Sequence, residues 1–294
     1  MIKKPSNLIN FIAIGPGKSG TSWIFELFDE HPEICVSSAK ETLFFEEYYY
    51  KGTQWYHRFF NHHSREKAIG EVSNTYVFSA LAAQRIHDYN PDMKLISTLR
   101  NPVDRTFSHY LFLLRNGEQG SFEKVIKQHP DLVERGLYFK HLSAYLKHFS
   151  KEQLLCLLFD DLKKDARTYS RKLFNFLELD DLGESEVFDK KVLPASQARN
   201  RILAKAAKSS AELVRKMGFP DIITKVKNSS ISNMLYKPYS KDDLPTMSEE
   251  SRGYLKQYFT EDITKLSDLL DQDLVKLWLG QTKFVETKQD QALL

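Results

Sequence analysis

Between Phe11 and Trp23 the chain reads Phe-Ile-Ala-Ile-Gly-Pro-Gly-Lys-Ser-Gly-Thr-Ser-Trp, an apolar strand passing through a glycine-rich turn with one lysine into a helix start. Few folds accommodate that order. Glycines at Gly15, Gly17 and Gly20 remove the side chains that would keep backbone N–H groups from converging on an anion. The helix that opens at Thr21 adds unpaired N–H donors and the positive end of its dipole. Lys18 supplies a mobile positive charge. The segment is a phosphate cradle, and it requires a buried strand on one side and a helix on the other.

The rest of the first half repeats the alternation. Residues 8–14 read as a buried strand, Thr21–Glu30 as a helix stopped by His31-Pro32, and Ala68–Val72 as a short strand. A helix is expected over 78–89, a strand over Lys94–Leu99, and a helix over 103–114 behind Pro102, which suits a first turn. Further helices are expected over 138–149 and 167–177, with the apolar strand 153–159 between them. Apolar strands separated by helices imply an α/β three-layer sandwich, a central mostly parallel sheet carrying a P-loop-like phosphate-binding turn. Ligands of such sheets lie at the carboxyl ends of the strands, where both the Gly15–Gly20 turn and Arg100 fall.

At 294 residues we read a single domain over 1–294: a core over about 8–180, a basic helical extension over 199–241, and a C-terminal packing helix over 247–271. That last helix carries the stripe Leu255, Phe259, Ile263, Leu266 and Leu270, and the tail from Gln281 is polar. Hydrophobic residues make up 41% of the chain, as in globular proteins, yet no apolar run is long enough to span a membrane and the N-terminus lacks a signal core. Cys35 and Cys156 sit among apolar neighbours and do not suggest a disulfide framework. The expectation is a cytoplasmic protein. Net charge is +3, but between Arg199 and Lys241 ten basic residues face only Glu212 and Asp221, a local charge of about +8. That stretch is either a solvated basic face or a surface for an anionic ligand.

The lysine turn departs from a Walker A loop, because Ile12 stands where its first glycine belongs. A nucleotide kinase or NTPase stays open as an alternative, with Asp160-Asp161 after a strand imitating a magnesium-holding acid. A non-catalytic nucleotide or anion binder is the third reading. Metal ligation is not expected: His57, His62 and His63 lack the spacing of a helical zinc site. Nor is nucleic-acid binding, since the basic region lacks interleaved aromatics.

Lys18-Ser19-Gly20-Thr21-Ser22-Trp23 resembles the 5′-phosphosulfate loop of sulfotransferases that use 3′-phosphoadenosine 5′-phosphosulfate (PAPS). The segment from Leu95 to Tyr110 resembles the second half of that family's fingerprint, with Arg100 at a strand end and Ser108 eight residues on in a helix. Both residue types make physical sense, a bidentate guanidinium and a hydroxyl two turns along a helix converging on one phosphate. The resemblance implies that Gly17, Lys18, Ser19, Gly20, Thr21 and Ser22 hold the 5′-phosphosulfate and that Arg100 and Ser108 hold the 3′-phosphate. It also implies that Trp23 contacts adenine, a core position being the other reading of a tryptophan on an apolar helix face, that Tyr138 in Arg135-Gly136-Leu137-Tyr138 lies near the cofactor, and that a later basic residue, Arg201 in our reading, completes the phosphate site. Lys190-Lys191 is the other candidate for that last role.

Lys40-Glu41-Thr42-Leu43-Phe44-Phe45 resembles the Lys-Glu-x-x-Phe-Phe stretch of the glycan-type members, which makes Glu41 the candidate base and Lys18 the group that stabilises the leaving phosphate. His57, His62, His63 and His109 compete for the base role, as the cytosolic branch uses a histidine. Gly70 to Tyr76 is similar to a Glu-Lys-Ser/Thr-Pro-x-Tyr segment. Four positions differ from the glycan-type pattern: Val72 replaces a second lysine, Asn74 a proline, Leu43 a histidine and, relative to several members, Ser22 an arginine. The acceptor expected is a metabolite, lipid or soluble saccharide bearing a hydroxyl or amine, in a bacterial enzyme of secondary metabolism. Aromatics from Phe44 to Tyr56 either line its pocket or face the core. The resemblance covers about 8–180, with a weaker echo over 246–278.

Overall fold

The computed structural model describes residues 8–189, 196–219, 222–223, 234–240 and 243–280. Its centre is β1 (Phe11–Gly15), buried along its whole length because neighbouring strands flank it and helices cover both faces. After α1 (Thr21–Glu30) come β2 (Ile34–Val36), α2 (Gly52–His57), β3 (Ala68–Val72), α3 (Ala80–Tyr89), β4 (Lys94–Leu99) and α4 (Pro102–Arg115). Then follow α5 (Phe122–Gln128), α6 (Asp131–Glu134), α7 (Tyr138–Tyr145), β5 (Leu154–Leu158), α8 (Phe159–Lys164) and α9 (Ala166–Leu177). The C-terminal part holds β6 (Ser196–Ala198), α10 (Arg201–Lys216), β7 (Tyr236–Pro238) and α11 (Glu249–Leu270).

Strands β1 to β5 form one parallel sheet in the order β2-β3-β1-β4-β5, with Ile12 opposite both Glu71 and Leu95. The expected α/β sandwich is this architecture. After β1 the chain runs to the edge strand β2, returns to β3 beside β1, then crosses β1 to build β4 and β5. The carboxyl end of β1 is therefore the switch point, where the sheet leaves a crevice.

Alternation along the pleat divides the interior. Ile12 and Ile14 join Leu95, Leu99, Val103, Tyr138, Leu255 and Phe259 under α3, α4, α7 and α11, whereas Phe11 and Ala13 join Ile96, Trp23, Phe28, Tyr169 and Phe174 under α1 and α9. The C-terminal helix is a packing helix, and it also caps another: the Asp262 carboxylate accepts from the N–H groups of Phe139 (2.9 Å) and Lys140 (3.0 Å) at the start of α7.

Differences from the sequence reading lie at element ends. The helix expected over 78–89 starts at Ala80 because Ser79 takes the N-cap, its hydroxyl accepting from the Ala82 N–H at 3.1 Å. Residue 159 leaves the strand to open α8, and the helix at 138 ends at Tyr145. Strand β2 and the antiparallel β6–β7 pair were not expected; each is three residues long, too short for a periodic signal. The aromatics after Glu41 belong mostly to the core. Phe44, Phe45 and Tyr56 are fully buried, Phe44 stacking on Tyr56 at 4.4 Å, while Tyr49 and Tyr50 reach the surface.

Candidate active site at the end of the central strand

Beyond β1 the turn is fixed by Asn74. Its carbonyl accepts from the Gly17 N–H (2.9 Å), and its side-chain oxygen accepts from the Thr21 hydroxyl. Gly15, at φ +103°, has no room for a side chain, since a Cβ there would lie 2.8 Å from the Asn74 carbonyl oxygen. Lys18 itself sits at φ 75°, a left-handed conformation seldom adopted by residues with a Cβ. Gly20, at φ +95°, caps α1 without any side-chain bond, so the first N–H groups of the helix stay directed into the turn.

Cations collect there. The Arg100 guanidinium, at the end of β4, donates to the Lys18 carbonyl (3.2 Å) and lies 5.1 Å from the Phe159 ring. Lys40 Nζ bonds the Ser22 hydroxyl at 2.9 Å and reaches the Thr21 hydroxyl at 3.4 Å. Lys18 Nζ stands 4.8 Å from the Phe112 ring centroid. Burial, and then the neighbouring charges of Arg115, Arg100, Lys40 and Arg105, push the Lys18 ammonium down to about 8. Among the described residues, no carboxylate lies within ion-pair distance of Lys18 or Arg100. Arg105, wholly buried in α4, also lacks a carboxylate; it bonds the Leu132 carbonyl and meets His109 Nδ1 at 3.4 Å.

Buried cations such as Lys18 and Arg100, with no carboxylate in ion-pair range among the described residues, are costly unless an anion arrives. One polar group points the same way: the buried Ser19 hydroxyl has no hydrogen bond of good geometry, the nearby Tyr138 hydroxyl donating to the Arg100 carbonyl (2.8 Å). These residues fit a ligand with separate phosphate groups.

The structure brings Gly17, Lys18, Ser19, Gly20, Thr21, Ser22 and Arg100 together around the turn. Ser108 lies half-buried on α4, two turns from its start. Tyr138 supports Arg100 from behind. Trp23 takes a core position: its indole N–H donates to the Val187 carbonyl (2.9 Å) and its ring meets Tyr169 edge-on at 5.9 Å. Arg201 opens α10, and its side chain, like Lys190 and Lys191, lies outside the described residues.

Glu41 borders an open cleft of about 590 Å³ with Leu43, Glu46, Glu47, Leu81 and Arg135 among its walls. Its N–H donates to the Val72 carbonyl at 3.2 Å, and both Glu41 (φ 72°) and Leu43 (φ 55°) are left-handed. What holds Thr42 between them is Glu71, a residue the sequence reading treated only as part of a loose match. One Glu71 oxygen accepts from the Thr42 N–H (3.2 Å) and hydroxyl (2.8 Å); the other accepts from Tyr56 (2.8 Å) and Tyr76 (3.1 Å). Burial pushes this carboxyl up to about 7 although all four bonds oppose the rise. A glutamate inside an apolar strand, next to Val72, was the available signal.

None of the competing histidines lines this cleft. His57 bonds the Tyr89 hydroxyl, His62 the Val36 carbonyl and His63 the Glu66 carboxylate. His109 is kept neutral by burial and by Arg105. Asp160 and Asp161, the possible magnesium acids, are engaged by Lys163 (2.8 Å) and Lys172 (3.3 Å).

A parallel α/β sheet with an anion-binding turn at its switch point, a second cation at the next strand end and a carboxylate in the adjoining cleft defines a P-loop-like group-transfer fold. The sulfotransferase domain matches residues 9–274, and the chain belongs to that family. The family uses PAPS as its sulfuryl donor. A structure of a sulfotransferase from Alicyclobacillus acidocaldarius superposes with a TM-score of 0.65 over 92% of this chain and 98% of that one, at 24% identity. Among curated proteins, the mouse heparan sulfate glucosamine 3-O-sulfotransferase 3B1 is 31% identical over 178 residues, 57% of this chain and 45% of that protein. The Dictyostelium discoideum membrane-associated sulfotransferase kil1 is 36% identical over 137 residues, 43% of this chain and 29% of that protein. The matches thus span less than half the length of these two relatives.

Proposed function

We propose that the protein moves a sulfuryl group from PAPS to a hydroxyl or amine of a small-molecule or saccharide acceptor by in-line displacement. The observation that carries this is the pair Lys18 and Arg100, buried together at the glycine turn with no carboxylate in ion-pair range among the described residues. Gly17, Lys18, Ser19, Gly20, Thr21 and Ser22 would hold the 5′-phosphosulfate, and Arg100 and Ser108, joined by Arg201, the 3′-phosphate. PAPS supplies an activated sulfuryl group. Lys18 and the N–H groups of Gly20 and Thr21 stabilise the negative charge that develops within the turn. Glu41 takes the acceptor proton from the cleft side.

The cleft argues about the acceptor. Its three carboxylates, Glu41, Glu46 and Glu47, face one guanidinium, Arg135, which already pairs with Asp131 at 3.2 Å. Burial raises Glu46 further from easy ionisation, although the Thr75 hydroxyl donates to it at 2.7 Å. With Val72, Leu43 and Ser22 in place of basic or imidazole side chains, such a wall disfavours a polyanionic glycan and suits an uncharged or amine-bearing acceptor. The unpaired Cys35 and Cys156 support a reducing, intracellular setting.

The test is ligand-linked stability. 3′-Phosphoadenosine 5′-phosphate (PAP) should raise the melting temperature without added metal, and ATP with magnesium should raise it less. The opposite ranking would favour the kinase reading. Stabilisation by PAP with no transfer from radiolabelled PAPS, across small-molecule and saccharide acceptors, would leave a nucleotide binder.

A further inference from the structure

Helix α10 is turned the wrong way round for a packing helix. Ile202, Ala206, Leu213 and, one residue past its end, Met217 recur at positions 0, 4, 11 and 15, a single stripe with Leu203 beside it. That stripe faces outward: relative exposure is 80% at Ile202, 56% at Leu203, 60% at Leu213 and 61% at Met217. Ala204, across the helix, is fully buried. Phe219, Ile222 and Met234 are exposed as well.

The same helix carries exposed Lys205 and Lys208, the latter 3.8 Å from the Glu212 carboxylate one turn on, and in sequence the stretch from Arg199 to Lys241 has a charge of +8 against −5 for the rest of the chain. The surface is also fastened to the fold. The Gly218 carbonyl accepts from the Arg58 guanidinium, and the Arg115 guanidinium of α4 stacks 3.8 Å from the Tyr236 ring centroid.

We propose that α10 docks the protein on an anionic membrane surface, its apolar stripe entering the headgroup boundary while Lys205 at its flank meets lipid phosphates. This order, apolar side chains beneath cationic ones along one helix, matches the depth profile of a bilayer interface. A second copy of the chain is the poorer occupant, because two such faces would bring like charges together. The proposal is independent of sulfuryl transfer.

Flotation of the full chain with vesicles of phosphatidylcholine, alone or with phosphatidylserine, tests it. The expected result is at least about tenfold more binding to the anionic vesicles, reduced by salt. Leu213→Asp should lower that binding about tenfold while PAP still raises the melting temperature as in the wild type. If Leu213→Asp does not fold, the double charge reversal Lys205→Glu with Lys208→Glu gives the same reading. Equal binding to both vesicle types, no binding, or a concentration-dependent dimer by light scattering that Leu213→Asp dissolves would overturn the proposal. The last outcome would assign the face to a second copy.

Discussion

On one side of Lys18 the molecule presents backbone amides and Arg100, set by the ends of β1 and β4 and by the first turn of α1. On the other side, the loop from Glu41 to Glu47 and Arg135 present three carboxylates against one cation. The first half is rigid because strand ends and a helix start leave it few degrees of freedom. The second hangs on a loop whose two left-handed residues are pinned through Thr42 by one buried glutamate. Donor and acceptor sides are thus sorted by charge and by how they are held, and mutations should divide them.

The largest effects fall where both sides meet the chemistry. Lys18→Ala and Glu41→Gln should each lower turnover about 10²- to 10³-fold in a radiolabelled-PAPS assay. Only Lys18→Ala should also weaken PAP binding; a comparable loss of PAP affinity in Glu41→Gln would blur the division. Next comes Arg100→Ala, with PAP affinity reduced about 10- to 100-fold by calorimetry, as expected for a charged hydrogen-bonding group.

Glu71→Gln should reduce turnover by a smaller factor, about tenfold, with PAP affinity unchanged, since it loosens only the acceptor loop. The same variant carries a pH signature. Glu71 holds its proton in the folded state up to about 7, against an ordinary 4.5, so the folded protein binds more protons than the unfolded chain across that window. Wild-type stability should therefore fall, relative to Glu71→Gln, as pH rises from about 4.5 to about 7. Thermal melts at closely spaced pH values would show a flat difference if Glu71 were solvated. On the donor side the sign is set by Lys18. Its ammonium loses its proton near 8 in the free protein and is held protonated by a bound anion, so PAP affinity should decline as pH rises through about 8.

How far each side was legible follows from the same contrast. Gly15 to Gly20, Arg100 and the strands behind them form local patterns that physics forces into one arrangement, and the parallel sheet came with them. Glu41 was reached by a short resemblance, but its support was not: Glu71, Tyr56 and Tyr76 are separated in sequence and meet only through burial. Trp23 shows the opposite limit. Its place after the turn suggested an adenine contact, yet an aromatic on the inner face of α1 is claimed by the core that contains Tyr169 and Val187. Trp23→Phe accordingly gives the smallest expected effect, about 1 kcal/mol of stability from the lost indole bond, with PAP affinity nearly unchanged. A large loss of affinity would return Trp23 to the nucleotide side.

Calorimetric titration of PAP into the wild type and into Arg100→Ala tests whether the turn after β1 and the arginine at the end of β4 bind two phosphate groups of one nucleotide. Metal-independent binding to the wild type and a clear loss in the variant are expected; equal affinity in the two proteins, or binding that needs magnesium, would overturn that assignment.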